Sequence, residues 1–280
     1  MNERPAFTLA YSPCPNDTYI FAALTNGLLH DAPPVRVQLE DIENLNNSAL
    51  KADYELTKVS YGAIPMLMDK YRILRAGGAL GRGCGPLLVA RKGSGASLED
   101  FRDKLVAIPG EMTTAFMLLR LAMGSRPQTL GLRFDRIVEA AADGAVDAGL
   151  IIHESRFTYQ EAGLVQVIDL GDWWESQTGM PIPLGAILVR RDLDDGVARE
   201  LNGAIIDSLR FARENDGAVM KYVREHATEM SEDVMRKHIG LYVNEFSEDV
   251  GDPGIAAVNE LFSRAGAARV IPQATEADFV

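Results

Sequence analysis

The sequence predicts an α/β fold of two lobes with a ligand cleft between them. Short apolar runs of strand length alternate with stretches of helical periodicity, the pattern of sheets joined through helices. At 280 residues the chain exceeds a comfortable single core, so two domains are expected. Several strands also break into polar residues just before a helix, where open α/β sheets place their ligands.

In order, Phe7 to Tyr11 reads as a strand, Ser12 to Asp17 as a tight polar loop, and Thr18 to Leu28 as a helix ended by Gly27, with Asn16 or Asp17 as its N-cap. Val35 to Leu39 is a strand followed by a helix through Ile42, Leu45, Ala49 and Leu50. Tyr54 to Ser60 is the next strand, leading into a short helix from Tyr61 to Met68. Gly77 to Pro86 holds five glycines but lacks the Gly-Lys-Ser/Thr ending of a phosphate loop. Close backbone packing at a domain crossover explains it better. Leu87 to Arg91 then leaves the first domain, and Lys92 to Ser97 is a flexible connector.

Leu105 to Ile108 is a strand, and Thr113-Thr114-Ala115 opens the apolar helix Phe116 to Met123. Leu132 to Phe134 is a strand, Ile137 to Ala142 a helix that Gly144 ends, and Val146 to Ile152 a buried strand. Val165 to Leu170 and Gly185 to Arg190 are strands joined by a connection containing Trp173 and Trp174, whose commoner use is to cover a core. Helices around Val197 to Arg213, Ala218 to Glu225, Glu232 to Asn244 and Ile255 to Ala265 finish the chain. Met220, Met230 and Met235 read as core, whereas His226 and His238 sit among charged residues and read as solvated. One lobe takes residues 1–90 plus 188–280 and the other 91–187.

Composition narrows the function. A net charge of −12 argues against nucleic acid and anionic membranes, so any anionic ligand must be held by local donors. No run approaches 18 apolar residues. The first residues lack a basic segment followed by an apolar stretch, so the expectation is a cytoplasmic protein without a membrane partner. Cys14 and Cys84 cannot form a Cys-rich zinc site, and in that compartment they are expected to stay reduced. Cys14, between two prolines, reads as a small, half-buried residue.

Chemistry is expected after the strand Val146 to Ile152, which stops at His153-Glu154-Ser155-Arg156. An imidazole at a strand's carboxyl end can act as a base near neutral pH. Glu154, on the other side by strand alternation, is not paired with it. Asn16, Ser60 and Thr113 repeat one layout of strand, polar residue and helix start, suited to a shared anion site. Lys58 lies beside the second of these junctions.

Two crossovers between lobes make the cleft-forming layout of periplasmic binding proteins. Beyond layout, S-P-C-P-N-D-T, T-K-V-S-Y, G-G-A-L-G-R-G-C-G-P, M-T-T-A, G-L-I-I-H-E-S-R-F-T-Y and the Trp-Trp segment through P-L-G-A-I resemble the 1,4-dihydroxy-6-naphthoate synthase family of the futalosine route to menaquinone. The likeness runs over nearly the whole chain; a longer connector around Lys92 to Asp103 departs from it. The resemblance implies a type II periplasmic-binding-protein-like fold and a lyase acting on cyclic dehypoxanthinylfutalosine, with no metal or organic cofactor. It matches His153 to the family's proton acceptor, and Lys58-Val59-Ser60 and Thr114-Ala115 to its substrate-binding segments. The competing readings are a non-catalytic binding protein for a small carboxylate and a chorismate-dehydrating lyase of the same pathway.

Overall fold

The computed structural model describes residues 6–227, 231–272 and 276–280. Met230 lies outside them. The chain folds into two mixed sheets with helices packed around them. The first sheet contains β1 (Phe7–Tyr11), β2 (Val35–Leu39), β3 (Leu56–Ser60), β4 (Tyr71–Ile73), β5 (Ala79–Gly81) and the long β11 (Ile182–Arg190). Its order is β2-β1-β3-β11-β4, with β5 also on β11. β1 runs parallel to β2 and β3, whereas β11 is antiparallel to β3, β4 and β5.

The second sheet contains β6 (Leu87–Arg91), β7 (Leu105–Ile108), β8 (Gln128–Gly131), β9 (Ala148–Ile151) and β10 (Leu164–Asp169), in the order β10-β6-β9-β7-β8. Its three central strands are buried and read as continuous apolar runs, as strands covered on both faces do. β8 is the mostly exposed edge strand, paired in parallel with β7. The strand therefore lies earlier than the expected Leu132 to Phe134. The run Gln-Thr-Leu-Gly lacks an apolar face because its side chains stay largely exposed at the rim of the sheet.

Eleven helices are seen among the described residues. α1 (Pro15–Thr25), α2 (Ile42–Ala49), α3 (Thr114–Met123), α4 (Ile137–Ala142), α5 (Ser155–Thr158) and α6 (Leu170–Thr178) come first. The C-terminal part adds α7 (Asp195–Glu214), α8 (Asp216–His226), α9 (Glu232–Tyr242), α10 (Glu245–Glu248) and α11 (Gly251–Ala267). α1 begins earlier than expected: Pro15 takes the first turn, where its missing N–H costs nothing, and Cys14 rather than Asn16 or Asp17 is the N-cap. The segment after Ser60 is not an α-helix but turns around a 3₁₀ stretch, Ile64–Met66.

α6 replaces the connection expected at the tryptophans. Asp169 caps it by accepting from the amides of Gly171 and Asp172 at 2.8 and 3.2 Å, and Gly179 closes it at a φ of 68°. Trp174 is fully buried, with its indole N–H donating to the Pro181 carbonyl. Met220 and Met235 are core as expected.

The glycine-rich crossover is explained by contact. A Cβ on Gly85 would lie 2.2 Å from the Gly171 nitrogen, so the strand entering the second sheet and the start of α6 meet through backbone. Arg156 fastens the same place, donating to the Gly85 carbonyl and pairing with Asp169, both at 2.6 Å. Among the described residues, no helix is long and apolar enough to cross a membrane.

Candidate functional site

A cleft of about 650 Å³, open solvent included, lies where the carboxyl ends of β1, β3, β7 and β9 approach one another. His153 lies two residues past the end of β9 and has a φ of 57°. Histidine tolerates this left-handed region better than most side chains. The turn takes His153 out of strand alternation and onto the cleft wall. Its ring meets the Phe134 ring edge-on, with centroids 5.0 Å apart. Nδ1 lies 3.5 Å from Sγ of Cys14, while Nε2 has no hydrogen-bond partner among the described residues. Burial lowers its pKa to about 4, with Asp17 opposing and Lys58 reinforcing the shift. The imidazole is thus held neutral, further below neutrality than its position in the sequence suggested.

Lys58, Ser60, Thr113, Thr114 and Ala115 line the same cleft as His153, and Val59 packs into the hydrophobic core instead. Lys58 is not a free cation. Its ammonium is buried 2.6 Å from Asp17 Oδ1 and 3.3 Å from the Gly77 carbonyl. Asp17 also accepts from Ser12 Oγ and Asn16 Nδ2, each at 2.8 Å. A buried charge requires such a partner.

Ser60 differs from the helix start expected of it. Its amide and that of Tyr61 donate to Asn46 Oδ1 and the Leu184 carbonyl, and the Gly62 amide donates to Thr114 Oγ1. What Ser60 offers is its hydroxyl: Oγ accepts from Asn46 Nδ2 at 3.3 Å, and among the described residues its O–H donates to no group. The hydroxyls of Thr113 and Thr114 are spent on the Gly110 and Leu184 carbonyls, both at 2.8 Å. Thr113 does cap α3, receiving the Phe116 amide at 3.2 Å. The Thr114 and Ala115 amides, in the first turn of α3, have no acceptor among the described residues. Helix N-termini favour anions through such free N–H groups and the positive end of the dipole. Asn16 and Asp17, in the first turn of α1, line the cleft as well.

Sequence reasoning missed His238. It was read as solvated, yet it is fully buried on α9 and lines the cleft. The signal was its spacing: Met235, His238 and Tyr242 form one buried stripe on the helix. His226 is half-buried, with Nδ1 2.9 Å from the Tyr222 carbonyl. Cys14 is fully enclosed rather than half-buried, and burial pushes its thiol pKa well up. Glu154 is half-buried, and its Oε2 has no partner among the described residues.

This architecture, two α/β sheets enclosing a cleft, is that of periplasmic-binding-protein-like proteins. The aliphatic sulphonate binding protein of Escherichia coli superposes with a TM-score of 0.66 over 98% of this chain and 91% of its own, at 12% identity, a likeness of fold alone. A crystal structure of an Archaeoglobus fulgidus protein is nearer, with a TM-score of 0.89 and 36% identity over 95% of this chain and 98% of that one. The chain belongs to the menaquinone biosynthesis family, whose profile matches residues 7–267. It is 51% identical to the 1,4-dihydroxy-6-naphthoate synthase of Thermus thermophilus and 45% identical to that of Streptomyces coelicolor, in each case over 94% of both chains.

Proposed function

We propose that this chain is a carbon–carbon lyase converting cyclic dehypoxanthinylfutalosine to 1,4-dihydroxy-6-naphthoate, with His153 as general base. The observation that carries this reading is the neutral imidazole on the cleft wall, its Nε2 without a hydrogen-bond partner among the described residues. The names of the two relatives support the product assignment. The product is a carboxylate, and the Thr114 and Ala115 amides with the Ser60 hydroxyl are donors suited to holding that group. They supply local attraction in a protein whose net charge of −12 would otherwise repel an anion.

In this reading the carboxylate is anchored beside α3, and a carbon-bound proton of the substrate is presented to Nε2 of His153. General-base removal is worth about 10²–10⁴-fold in rate. Burial keeps the imidazole unprotonated at neutral pH, ready to accept. The ion pair of Lys58 and Asp17 supports the cleft beneath the ligand without adding net charge.

Incubating the purified protein with the cyclic futalosine derivative and following dihydroxynaphthoate by mass spectrometry tests the assignment. Product formation is expected. Stoichiometric binding of the substrate without conversion would instead favour a binding protein, and conversion of chorismate alone would favour the chorismate-dehydrating lyase.

A further inference from the structure

The protein encloses the imidazole of His238 and gives it no partner among the described residues. The residue is fully buried, and neither ring nitrogen meets a hydrogen-bond partner among the described residues. Buried polar groups are satisfied with few exceptions, and each exception calls for a reason. Packing alone is a poor one, because an apolar side chain of similar volume would fill the stripe without stranding two nitrogens. The His238 ring lies 6.2 Å from the His153 ring, with their planes 19° apart, and both residues line the same cleft. The Tyr242 ring backs it at 4.6 Å. Because both residues border the cleft, a ligand seated there is the candidate for the partner that His238 lacks.

We infer that His238 is the hydrogen-bond donor to the substrate oxygen on which negative charge gathers as His153 removes the proton. This rests on the function proposed above. In the step, a C–H bond breaks and the proton passes to Nε2 of His153. The electron pair delocalises onto the substrate oxygen as an enolate, which survives as a phenolic oxygen of the product. No oxidant or reductant enters. A donor fixed at that oxygen stabilises charge where it develops. A neutral imidazole suits the place, because a cation there would depress the proton affinity of the neighbouring base. Burial first, then the His153 ring and Lys58, hold His238 in that neutral form.

Kinetics of His238→Leu, His238→Met and His238→Gln in the full chain test this. Leucine and methionine keep volume and lose the donor, whereas the glutamine amide restores one. The expected kcat of the two apolar variants is lower by about 10²–10³-fold, the weight of one such donor. Their KM is expected to stay within about threefold, since the interaction forms in the transition state. Glutamine is expected to recover at least about tenfold of the loss.

A packing role predicts the reverse: Leu and Met variants that melt at or above the wild-type temperature and turn over normally, which would overturn the inference. Should one apolar variant not fold, the other decides. If neither folds, the residue serves packing and the inference is overturned. A wild-type protein that makes no dihydroxynaphthoate overturns the proposed function and this assignment with it. Active wild type beside active Leu and Met variants overturns this assignment alone.

Discussion

Sγ of Cys14 lies 3.5 Å from Nδ1 of His153, so the residue capping α1 meets an imidazole in the turn that follows β9 of the other sheet. In the proposed reaction the ring proton sits on Nδ1, directed at sulfur, which leaves the lone pair of Nε2 for the cleft. Sulfur is a weak acceptor, so the Phe134 ring shares the task of holding the imidazole in place.

Cys14→Ala therefore removes a weak orienting contact and not the proposed base. Its kcat is expected to fall roughly tenfold, about 1.4 kcal/mol of barrier, with Cys14→Ser closer to wild type. Steady-state kinetics decide; an alanine variant as slow as one lacking His153 would show the thiol to be essential in its own right.

Neither cysteine is poised to react. Both are buried, and burial raises the Cys14 thiol well above its ordinary range and that of Cys84 to about 12. Thiolate is the reactive form. A disulfide reagent at pH 8 is expected to label neither cysteine in the folded protein and both in urea. Fast labelling of a native thiol would contradict the enclosure described for the Cys14–His153 contact.

The ion pair of Lys58 and Asp17 is expected to be costly to break and cheap to replace. Its partners keep side-chain exposures of 5% and 2%. Lys58→Met strands a buried carboxylate, and about 3–5 kcal/mol of stability should be lost. Adding Asp17→Leu should restore part of it, because the uncompensated charge has gone. Urea unfolding of the single and double variants measures this, and equal losses in both would refute it.

The depressed pKa of His153 makes stability depend on acid. Above pH 6.5 the imidazole is neutral in both folded and unfolded chains and contributes no slope. Below 6.5 the unfolded chain takes up a proton that the folded chain refuses until about pH 4, so stability falls across that window. At about 1.4 kcal/mol per pH unit the loss is on the order of 3 kcal/mol. His153→Asn tolerates the same left-handed backbone and removes this share. Its stability curve between pH 6.5 and 4 is expected to be the shallower one; parallel curves for variant and wild type would contradict the burial argument.

Most strands were legible because continuous apolar runs are local signals, and His153 was legible because it follows such a run, whereas the short β4 and β5 and the exposed edge strand β8 carried too few apolar residues to show. α6 was hidden by its Gly and Pro neighbours, although Asp169 before it and Gly179 after it are ordinary start and stop residues. What the sequence could not disclose was pairing between distant segments. Lys58 looked available until Asp17 met it, and Ser60 looked like a helix start until Asn46 took its amide. His238 looked solvated because Arg236 and Lys237 precede it; the Met235–His238–Tyr242 stripe outweighed them once α9 was packed.

The most direct measurement is turnover of cyclic dehypoxanthinylfutalosine by His153→Asn, a variant chosen to keep the fold. Its kcat is predicted to fall by about 10²–10⁴-fold with the melting temperature at neutral pH preserved. Near-normal dihydroxynaphthoate formation by that variant would mean that the proton leaves to some other group, and the imidazole after β9 would lose its place at the centre of the reaction.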